Sequence, residues 1–252
     1  MEGMPPLFVV SDVHGYLDDL VEGLAEFGLV SRDGRWTGDD ARLWILGDLT
    51  DRGPNGIGVM DLVMSLQEQA PGQVHALMGN HEALALGMKR FPKSRFANSW
   101  KINGGLVQDQ KAFTDRHLAW LAGLPVLARV DDFLLLHSDT VAYLGWGSSV
   151  EEINATVRAL LASPKNVDGH WEVWAQLTSR YHFSGRDGGA IARRMLDRLG
   201  GERVVHGHSI IGSLIDRPSA EVTEPVLYAG GQVLAIDGGR YDGGPLLVVR
   251  LA

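Results

Sequence analysis

Five short segments of this 252-residue chain carry carboxylate, imidazole and amide side chains at spacings that could bind metal ions. Each segment by itself is weak evidence, because Asp and His are also common in turns and at helix starts. All five, however, directly follow an apolar run, so each is expected where a buried strand ends. The segments are SDVHG (Asp12, His14), GDLTDRG (Asp48, Asp51, Arg52), GNHE (Asn80, His81, Glu82), LLLHSD (His137) and VVHGHS (His206, His208).

The stretch ILGDLTDRGP, residues 45–54, allows two interpretations. It is either a polar turn after a strand or a metal and phosphate site at the end of that strand. Carboxylates ligate divalent metals, and a guanidinium group can hold two phosphate oxygens at once. The chain has no cysteine, so disulfides, thiolate ligands and a cysteine nucleophile are excluded, and any metal must bind to oxygen and nitrogen.

Apolar runs of strand length alternate with helical periodicity over the first ninety residues. The pattern predicts strands over 7–10, 41–46 and 73–79 and helices over 16–30, 55–70 and 81–91. This alternation is typical of α/β layering, in which ligands bind at the carboxyl ends of the strands. We therefore expect the polar segments to meet at the strand ends.

The remaining chain is predicted to be helical over 92–125 and 150–200. Paired strands are expected over 128–139, a strand over 203–209, and closing strands over 232–240 and 244–252. Repeats, low-complexity tracts and a convincing linker are absent from the sequence. We therefore predict one domain over residues 1–252, with a helical insertion at about 140–200.

The composition limits the kind of protein. Apolar residues make up 45% of the chain, enough to bury a large core. The formal net charge of −8 disfavours a nucleic-acid binder, which would usually carry a basic face. Because no apolar run approaches ~18 residues and the N-terminus lacks a basic region, we expect no membrane helix, no signal peptide and a cytoplasmic protein.

In chain order, the motifs D-x-H-G, G-D-x-x-D-R-G, G-N-H-E, a strand-end His and G-H resemble the calcineurin-like metallophosphoesterase superfamily. Within it they resemble the phosphoprotein (serine/threonine) phosphatase branch and its bacterial members. The motifs span residues 12–208 and so cover most of the chain. The resemblance implies a four-layer α/β/β/α sandwich, with two mixed β-sheets flanked by helices. It also implies two divalent metal ions, preferably manganese with iron or zinc as alternatives, and a metal-bridging hydroxide as nucleophile.

The resemblance assigns roles to individual residues. Asp48 is expected to bridge the metals, with Asp12 and His14 completing one ligand set and Asn80, His137 and His208 the other. His81 is implied as the general acid that protonates the leaving group, with Asp51 fixing its tautomer.

Phosphate binding is implied for Asn80, for Arg52 and for a further arginine from a variable segment. Arg180 and Arg186 are the candidates for that arginine, and Arg180 is preferred. His206 is open between a supporting role behind the metals and a purely structural one. The chain reads HSD at 137–139 where the family commonly has HGG or HAG, and an acidic Asp139 facing the substrate would disfavour highly anionic substrates.

The predicted reaction is hydrolysis of a phosphomonoester, most specifically phosphoserine or phosphothreonine in a protein. Relatives that act on diadenosine tetraphosphate often lack the second Asp and the Arg of G-D-x-x-D-R-G and often read G-N-H-D, whereas Asp51, Arg52 and Glu82 are all present here. The alternatives are a hydrolase of dinucleoside polyphosphates or of another small phosphoester, and a non-catalytic phosphate-binding module. Nucleic acid and membrane are not expected as partners, and the sequence does not indicate an oligomeric state.

Overall fold

The strands that precede the polar segments are short apolar runs with little access to solvent. In the computed structural model, which describes residues 4–252, every residue of Leu7–Val10 is buried. This strand pairs in parallel with Arg42–Ile45. Burial on both faces is the environment that a continuous apolar strand requires. Residues 1–3, which belong to the predicted domain and to the segment where no signal peptide is expected, lie outside the described residues.

The described chain contains nine strands, which together with the helices are numbered in chain order. The strands are β1 (Leu7–Val10), β2 (Arg42–Ile45), β3 (Val74–Ala76), β4 (Leu127–Val130), β5 (Phe133–Leu136), β6 (Arg203–His206), β7 (Val226–Tyr228), β8 (Val233–Ala235) and β9 (Val248–Arg250). The α-helices are α1 (Leu17–Glu26), α2 (Gly56–Gln69), α3 (Asn80–Arg90), α4 (Arg95–Ile102), α5 (Val107–Ala112), α6 (Asp115–Gly123), α7 (Val150–Ala162), α8 (Val167–Thr178), α9 (Gly188–Leu199) and α10 (Ile211–Ile215). None of the helices between residues 4 and 252 is both long and apolar enough to cross a membrane.

The strands form two mixed sheets. One has the order β3-β2-β1-β9, in which β9 is antiparallel to β1 and the other pairs are parallel. The second has the order β4-β5-β6-β8-β7, with parallel pairs in the centre and an antiparallel strand at each edge. The predicted α/β fold with two mixed sheets flanked by helices is confirmed.

Alternate side chains of each strand point to different layers. Val9 of β1 packs with Leu135 of β5 and Val205 of β6 in a cluster between the two sheets. Its neighbours Phe8 and Val10 belong instead to the cluster that includes residues of α1. The period-2 alternation therefore lets each sheet bury both faces, one against the other sheet and one against helices.

The element boundaries differ from the sequence prediction where glycines and edge strands intervene. The first helix was expected over 16–30 but ends at Glu26, because Gly28 adopts φ +70° and turns the chain. The 92–125 region is three helices rather than a continuous helical stretch. Strand β7 was not expected, since it is only three residues long and lies at a sheet edge, partly exposed.

Removing side-chain volume between the sheets should destabilise the whole fold. Leu135 is fully buried, so Leu135→Ala is expected to lower the free energy of unfolding by about 2–5 kcal/mol through lost burial and a residual cavity. Urea unfolding would measure this. Ile102, which is 76% exposed, provides the control, and Ile102→Ala should stay within about 0.5 kcal/mol of the parent. Equal effects of the two substitutions would contradict the packing described above.

Candidate metal centre

The six predicted metal ligands are all buried near the ends of strands. Carboxylate and imidazole groups here fall into two sets, and within each set the ligand atoms all lie within 4.8 Å of one another. Asp48 belongs to both sets. One set comprises Asp12, Asp48, His137 and His208, and the other comprises His14, Asp48 and His81. The central position of Asp48 is the one expected for a bridging ligand. The grouping differs from the expected ligand sets. Asp12 was expected with His14 but groups with His137 and His208, and His81, which was not expected as a ligand, groups with His14.

Backbone carbonyls fix the tautomer of each predicted histidine ligand. The Nδ1 of His14 lies 3.1 Å from the carbonyl oxygen of Thr50, and the Nδ1 of His137 lies 2.9 Å from that of Leu46. A carbonyl only accepts hydrogen bonds, so each of these nitrogens carries a proton and donates it. Burial is the main cause of the lowered pKa of both histidines. Each ring is therefore neutral, and its Nε2 carries a lone pair rather than a proton.

Those lone pairs face other acceptors. The Nε2 of His137 lies 3.0 Å from Oδ1 of Asn80 and 3.4 Å from Oδ1 of Asp48. The Nε2 of His14 lies 3.7 Å from the other Asp48 oxygen, Oδ2. The neutral Nε2 of His137 and the amide oxygen of Asn80 are both acceptors and cannot bond to each other, whereas a cation between them and Asp48 would satisfy all three. The donor set fits a divalent metal that accepts mixed nitrogen and oxygen ligands, such as manganese, iron or zinc.

The third histidine is held differently. The Nε2 of His208 donates to the carbonyl oxygen of Thr178 at the end of α8, 3.1 Å away, which leaves Nδ1 as the ligand atom. Its backbone N–H donates to Oδ2 of Asp12 at 2.8 Å. A Cβ on Gly207 would lie 2.1 Å from that same oxygen, so only glycine allows this approach.

Buried carboxylates at the centre repel one another. Burial, followed by the charge of Asp12, raises the pKa of Asp48 well above its usual value. Asp237, which follows β8, lies in the same environment, and burial and Asp12 raise its pKa likewise. Its Oδ2 has no hydrogen-bond partner among the described residues. The sequence analysis missed Asp237, although it follows the apolar run VLAI as the other site residues follow theirs.

The site backbone is strained. Of the eleven non-glycine residues with positive φ in the described chain, six are predicted site residues. They are Asp12, His14, Asp48, Asp51, Arg52 and His208, with φ between +46° and +67°. Such conformations cost roughly 1–3 kcal/mol each and persist only where surrounding contacts impose them.

Glu82 supplies contacts of this kind. Its carboxylate accepts backbone N–H groups of Asp48 at 2.7 Å, Leu49 at 2.8 Å and Gly79 at 2.9 Å. Burial raises its pKa to about 7, while these hydrogen bonds act in the opposite direction. One buried side chain of α3 therefore joins the segments that follow β2 and β3.

His81 and Asp51 form a hydrogen-bonded pair. The Nδ1 of His81 lies 2.9 Å from Oδ2 of Asp51, and Trp100 Nε1 donates to Oδ1 of Asp51 at 3.3 Å. The Nε2 of His81 is buried and has no partner among the described residues. One ring nitrogen is thus oriented by a carboxylate while the other is available for proton transfer.

Arg52 lies at the same centre. Its Nη1 donates to Nε2 of His14 at 3.1 Å, and its guanidinium lies 3.8 Å from the ring centroid of Tyr241. The lone pair of His14 cannot serve both Arg52 and a cation. A metal bound there would leave the guanidinium available to phosphate oxygens.

The three remaining candidates, Arg180, Arg186 and His206, differ in their surroundings. Arg180 is exposed and follows α8, two residues after Thr178, whose carbonyl oxygen contacts the ring of His208. Arg186 is exposed and makes no hydrogen bond or ion pair within residues 4–252. Both ring nitrogens of His206 are occupied, by the carbonyl oxygen of Gly207 at 2.7 Å and Tyr228 Oη at 2.8 Å, which favours the structural role.

Asp139 is engaged by other groups of the protein and is not free to face a substrate. Its carboxylate accepts hydrogen bonds from Ser209 Oγ at 2.5 Å and from the backbone N–H of Tyr181 at 2.8 Å. It is fully buried, so it presents no free charge to an anionic substrate.

The chain was compared with known proteins. It is 30% identical over 131 residues to a symmetrical bis(5'-nucleosyl)-tetraphosphatase of Vibrio parahaemolyticus, a match that covers 52% of this chain and 43% of that protein. It is 31% identical over 81 residues to Shewanella-like protein phosphatase 2 of Arabidopsis thaliana, covering 31% of this chain and 21% of the relative. The chain thus spans less than half the length of these curated relatives.

Among solved structures, the fold resembles a cold-active protein-tyrosine phosphatase of a psychrophilic Shewanella species. The TM-score is 0.74 at 24% identity, covering 99% of this chain and 76% of that one. A protein serine/threonine phosphatase from Saccharomyces cerevisiae gives a TM-score of 0.63 at 17% identity, covering 94% and 68%. At these identities the similarity concerns the fold.

The model of the calcineurin-like phosphoesterase family matches residues 5–212. This range includes every predicted metal ligand and both sheets in part. The resemblance drawn from the motifs is therefore confirmed, and the chain belongs to the calcineurin-like phosphoesterase family.

Proposed function

We propose that this chain is a metal-dependent phosphomonoester hydrolase, and most specifically a serine/threonine protein phosphatase. The observation that carries the proposal is the meeting of acceptor atoms at Asp48, next to the His81–Asp51 pair. Two divalent cations held there would supply Lewis-acid polarisation of the phosphate and an activated water. Asp12, His14, Asp48, Asn80, His137 and His208 would hold them.

The chain's own groups have complementary tasks. Arg52 and Arg180 would bind phosphate oxygens, and Asn80 would help to orient the phosphate. His81, protonated on both ring nitrogens, would give its Nε2 proton to the departing oxygen and become neutral, while Asp51 accepts the hydrogen bond from Nδ1–H and stabilises the charged form of the ring before the transfer. The buried position of His81 excludes water from this proton transfer.

The substrate preference for a phosphoprotein rests on Asp51, Arg52 and Glu82 and on the surface near the site. Ile102 is 76% exposed and Val107 59% exposed, on either side of the segment whose Gly104 carbonyl accepts the backbone N–H of Arg52. Tyr181, next to Arg180, is 44% exposed. Apolar side chains around the site suit contact with residues that flank a phosphorylated side chain.

A dinucleoside polyphosphate is the second candidate substrate. It is favoured by the curated similarity to bis(5'-nucleosyl)-tetraphosphatases. The exposed apolar residues would then contact a nucleobase. We also propose that α7, α8 and α9 act as an insertion within a single domain and shape this specificity.

Loss of the shared ligand should abolish the metal centre. Asp48→Asn is expected to reduce bound manganese from two ions per chain to one or none and to lower turnover of p-nitrophenyl phosphate by about 1,000-fold or more. Elemental analysis and steady-state kinetics would measure this, with circular dichroism to check folding. Asp33→Asn makes the same chemical change on the surface and should alter neither property. Two bound metals in Asp48→Asn protein would contradict the bridging role.

The general-acid role predicts a dependence on the leaving group. His81→Ala is expected to lower kcat for phenyl phosphate by about 10²–10⁴-fold, because the phenoxide that leaves is basic and needs a proton from an acid. The loss on p-nitrophenyl phosphate should be much smaller, since nitrophenolate departs without a proton. Metal content should remain that of the parent. An equal loss on both esters would exclude His81 as the acid.

The substrate class can be decided by direct comparison. With manganese present, kcat/KM for a phosphoserine or phosphothreonine peptide is expected to exceed that for diadenosine tetraphosphate. Release of phosphate and separation of nucleotides by chromatography would measure the two reactions. Turnover of the dinucleotide alone would replace the protein phosphatase proposal with the second candidate. Absence of turnover on every ester by folded, metal-loaded protein would favour the non-catalytic module.

A further inference from the structure

The loop after α8 is tied to the segment that follows β5. Oδ2 of Asp139 accepts a hydrogen bond from the backbone N–H of Tyr181 at 2.8 Å. The backbone carbonyl oxygen of Asp139 accepts one from the backbone N–H of His182 at 3.0 Å. The side chain of His182 adds a contact, because its Nδ1 lies 2.8 Å from Oγ1 of Thr140. Consecutive residues of the loop are therefore held by consecutive residues of the HSDT segment.

The same carboxylate reaches the metal-ligand segment. Oδ1 of Asp139 accepts the hydroxyl proton of Ser209 at 2.5 Å, and Ser209 directly follows His208. Asp139 itself is two residues after His137. Because Asp139 is fully buried and both of its oxygens are used, its position is fixed.

Arg180 lies between two fixed points of this loop. On one side, the carbonyl oxygen of Thr178 accepts the ring proton of His208 at 3.1 Å. On the other side, Tyr181 is held by Asp139 with φ at +66°. A bulky residue rarely adopts this conformation, so the hydrogen bond from Asp139 stabilises a turn that the loop would otherwise relax.

Arg180 is exposed and lies two residues after Thr178, whose carbonyl contacts the ring of His208. The guanidinium makes no hydrogen bond or ion pair with any residue of the described chain. It is available to an anion, and the residues on either side of it contact the segments of His208 and His137.

We propose that Asp139 is a positioning residue that holds Arg180 over the candidate metal centre and thereby sets its affinity for the phosphate group. The inference rests on the proposed function, because the anion it concerns is the phosphate of the substrate and product. The glycine that the family commonly has at this position lacks a carboxylate and could not accept this hydrogen bond from Tyr181. The segment HSD is thus a feature of this chain that couples α8 to the site.

A double-mutant cycle tests the proposal by calorimetric titration of manganese-loaded protein with inorganic phosphate. Asp139→Asn keeps the size of the side chain but cannot accept both hydrogen bonds, and Arg180→Ala removes the guanidinium. Each is expected to weaken phosphate binding by about tenfold. In the Arg180→Ala background, Asp139→Asn should cause no further loss, because Asp139 acts only through Arg180.

A purely structural role gives a different result. If Asp139→Asn weakens phosphate binding as strongly in the Arg180→Ala background as in the parent, the proposal is overturned. It is also overturned if Asp139→Asn binds phosphate as the parent does. Asp187→Asn is the matched control, since it makes the same chemical change on an exposed residue at the start of α9 whose side chain makes no capping hydrogen bond, and it should change phosphate affinity less than twofold.

Two further measurements keep the outcome clear. If the buried substitution prevents folding, the exposed His182→Ala replaces it in the cycle, with a smaller loss expected in the parent and none in the Arg180→Ala background. Binding of phosphate does not require turnover. Protein that binds phosphate with the predicted coupling but hydrolyses no ester would refute the proposed function and leave the positioning role of Asp139 intact.

Discussion

Buried acceptor atoms that crowd around Asp48 are the constraint on which this site depends. The Nε2 lone pair of His137 faces the oxygens of Asn80 and Asp48, and that of His14 lies between Arg52 and Asp48, while backbone carbonyls hold the protonated nitrogen of both rings away from the centre. Such an arrangement is unfavourable in a protein interior unless a cation joins it. The strained backbone and the buried carboxylates have the same explanation, since both are tolerated where metal binding offsets their cost.

The position of the centre follows from the two sheets. The first sheet contributes the segments after β1, β2 and β3, and the second contributes those after β5, β6 and β8. Contacts within the site also join the sheets: His137 donates to the carbonyl of Leu46, and the backbone of His208 donates to Asp12. The site therefore helps to hold the two sheets in register, and a change in the packing between the sheets will shift the positions of the candidate ligands.

Under the proposed function, substrate specificity would come from groups outside this shared core. The ligands and the His81–Asp51 pair belong to segments matched by the family model, whose members among the relatives include tetraphosphatases and protein phosphatases alike. Arg180 comes from the loop after α8, and the exposed Ile102 and Val107 come from the helices after β3. A chain can keep the chemistry of the core while these peripheral groups change what it accepts.

The sequence by itself determined the strands before the polar segments, the helices after the first three of them and most of the residues that meet at the site. These follow from local patterns: short apolar runs such as LFVV favour buried strands, and parallel strands bring their carboxyl ends to one edge. Tertiary structure alone decided that Asp12 groups with His137 and His208, that Asp139 bonds to Tyr181 and Ser209, that His206 pairs with Tyr228, and that Asp237 joins the buried carboxylates. Each of these depends on which side chain lies opposite another across segments far apart in the chain, and a local pattern contains no information about that distance or direction.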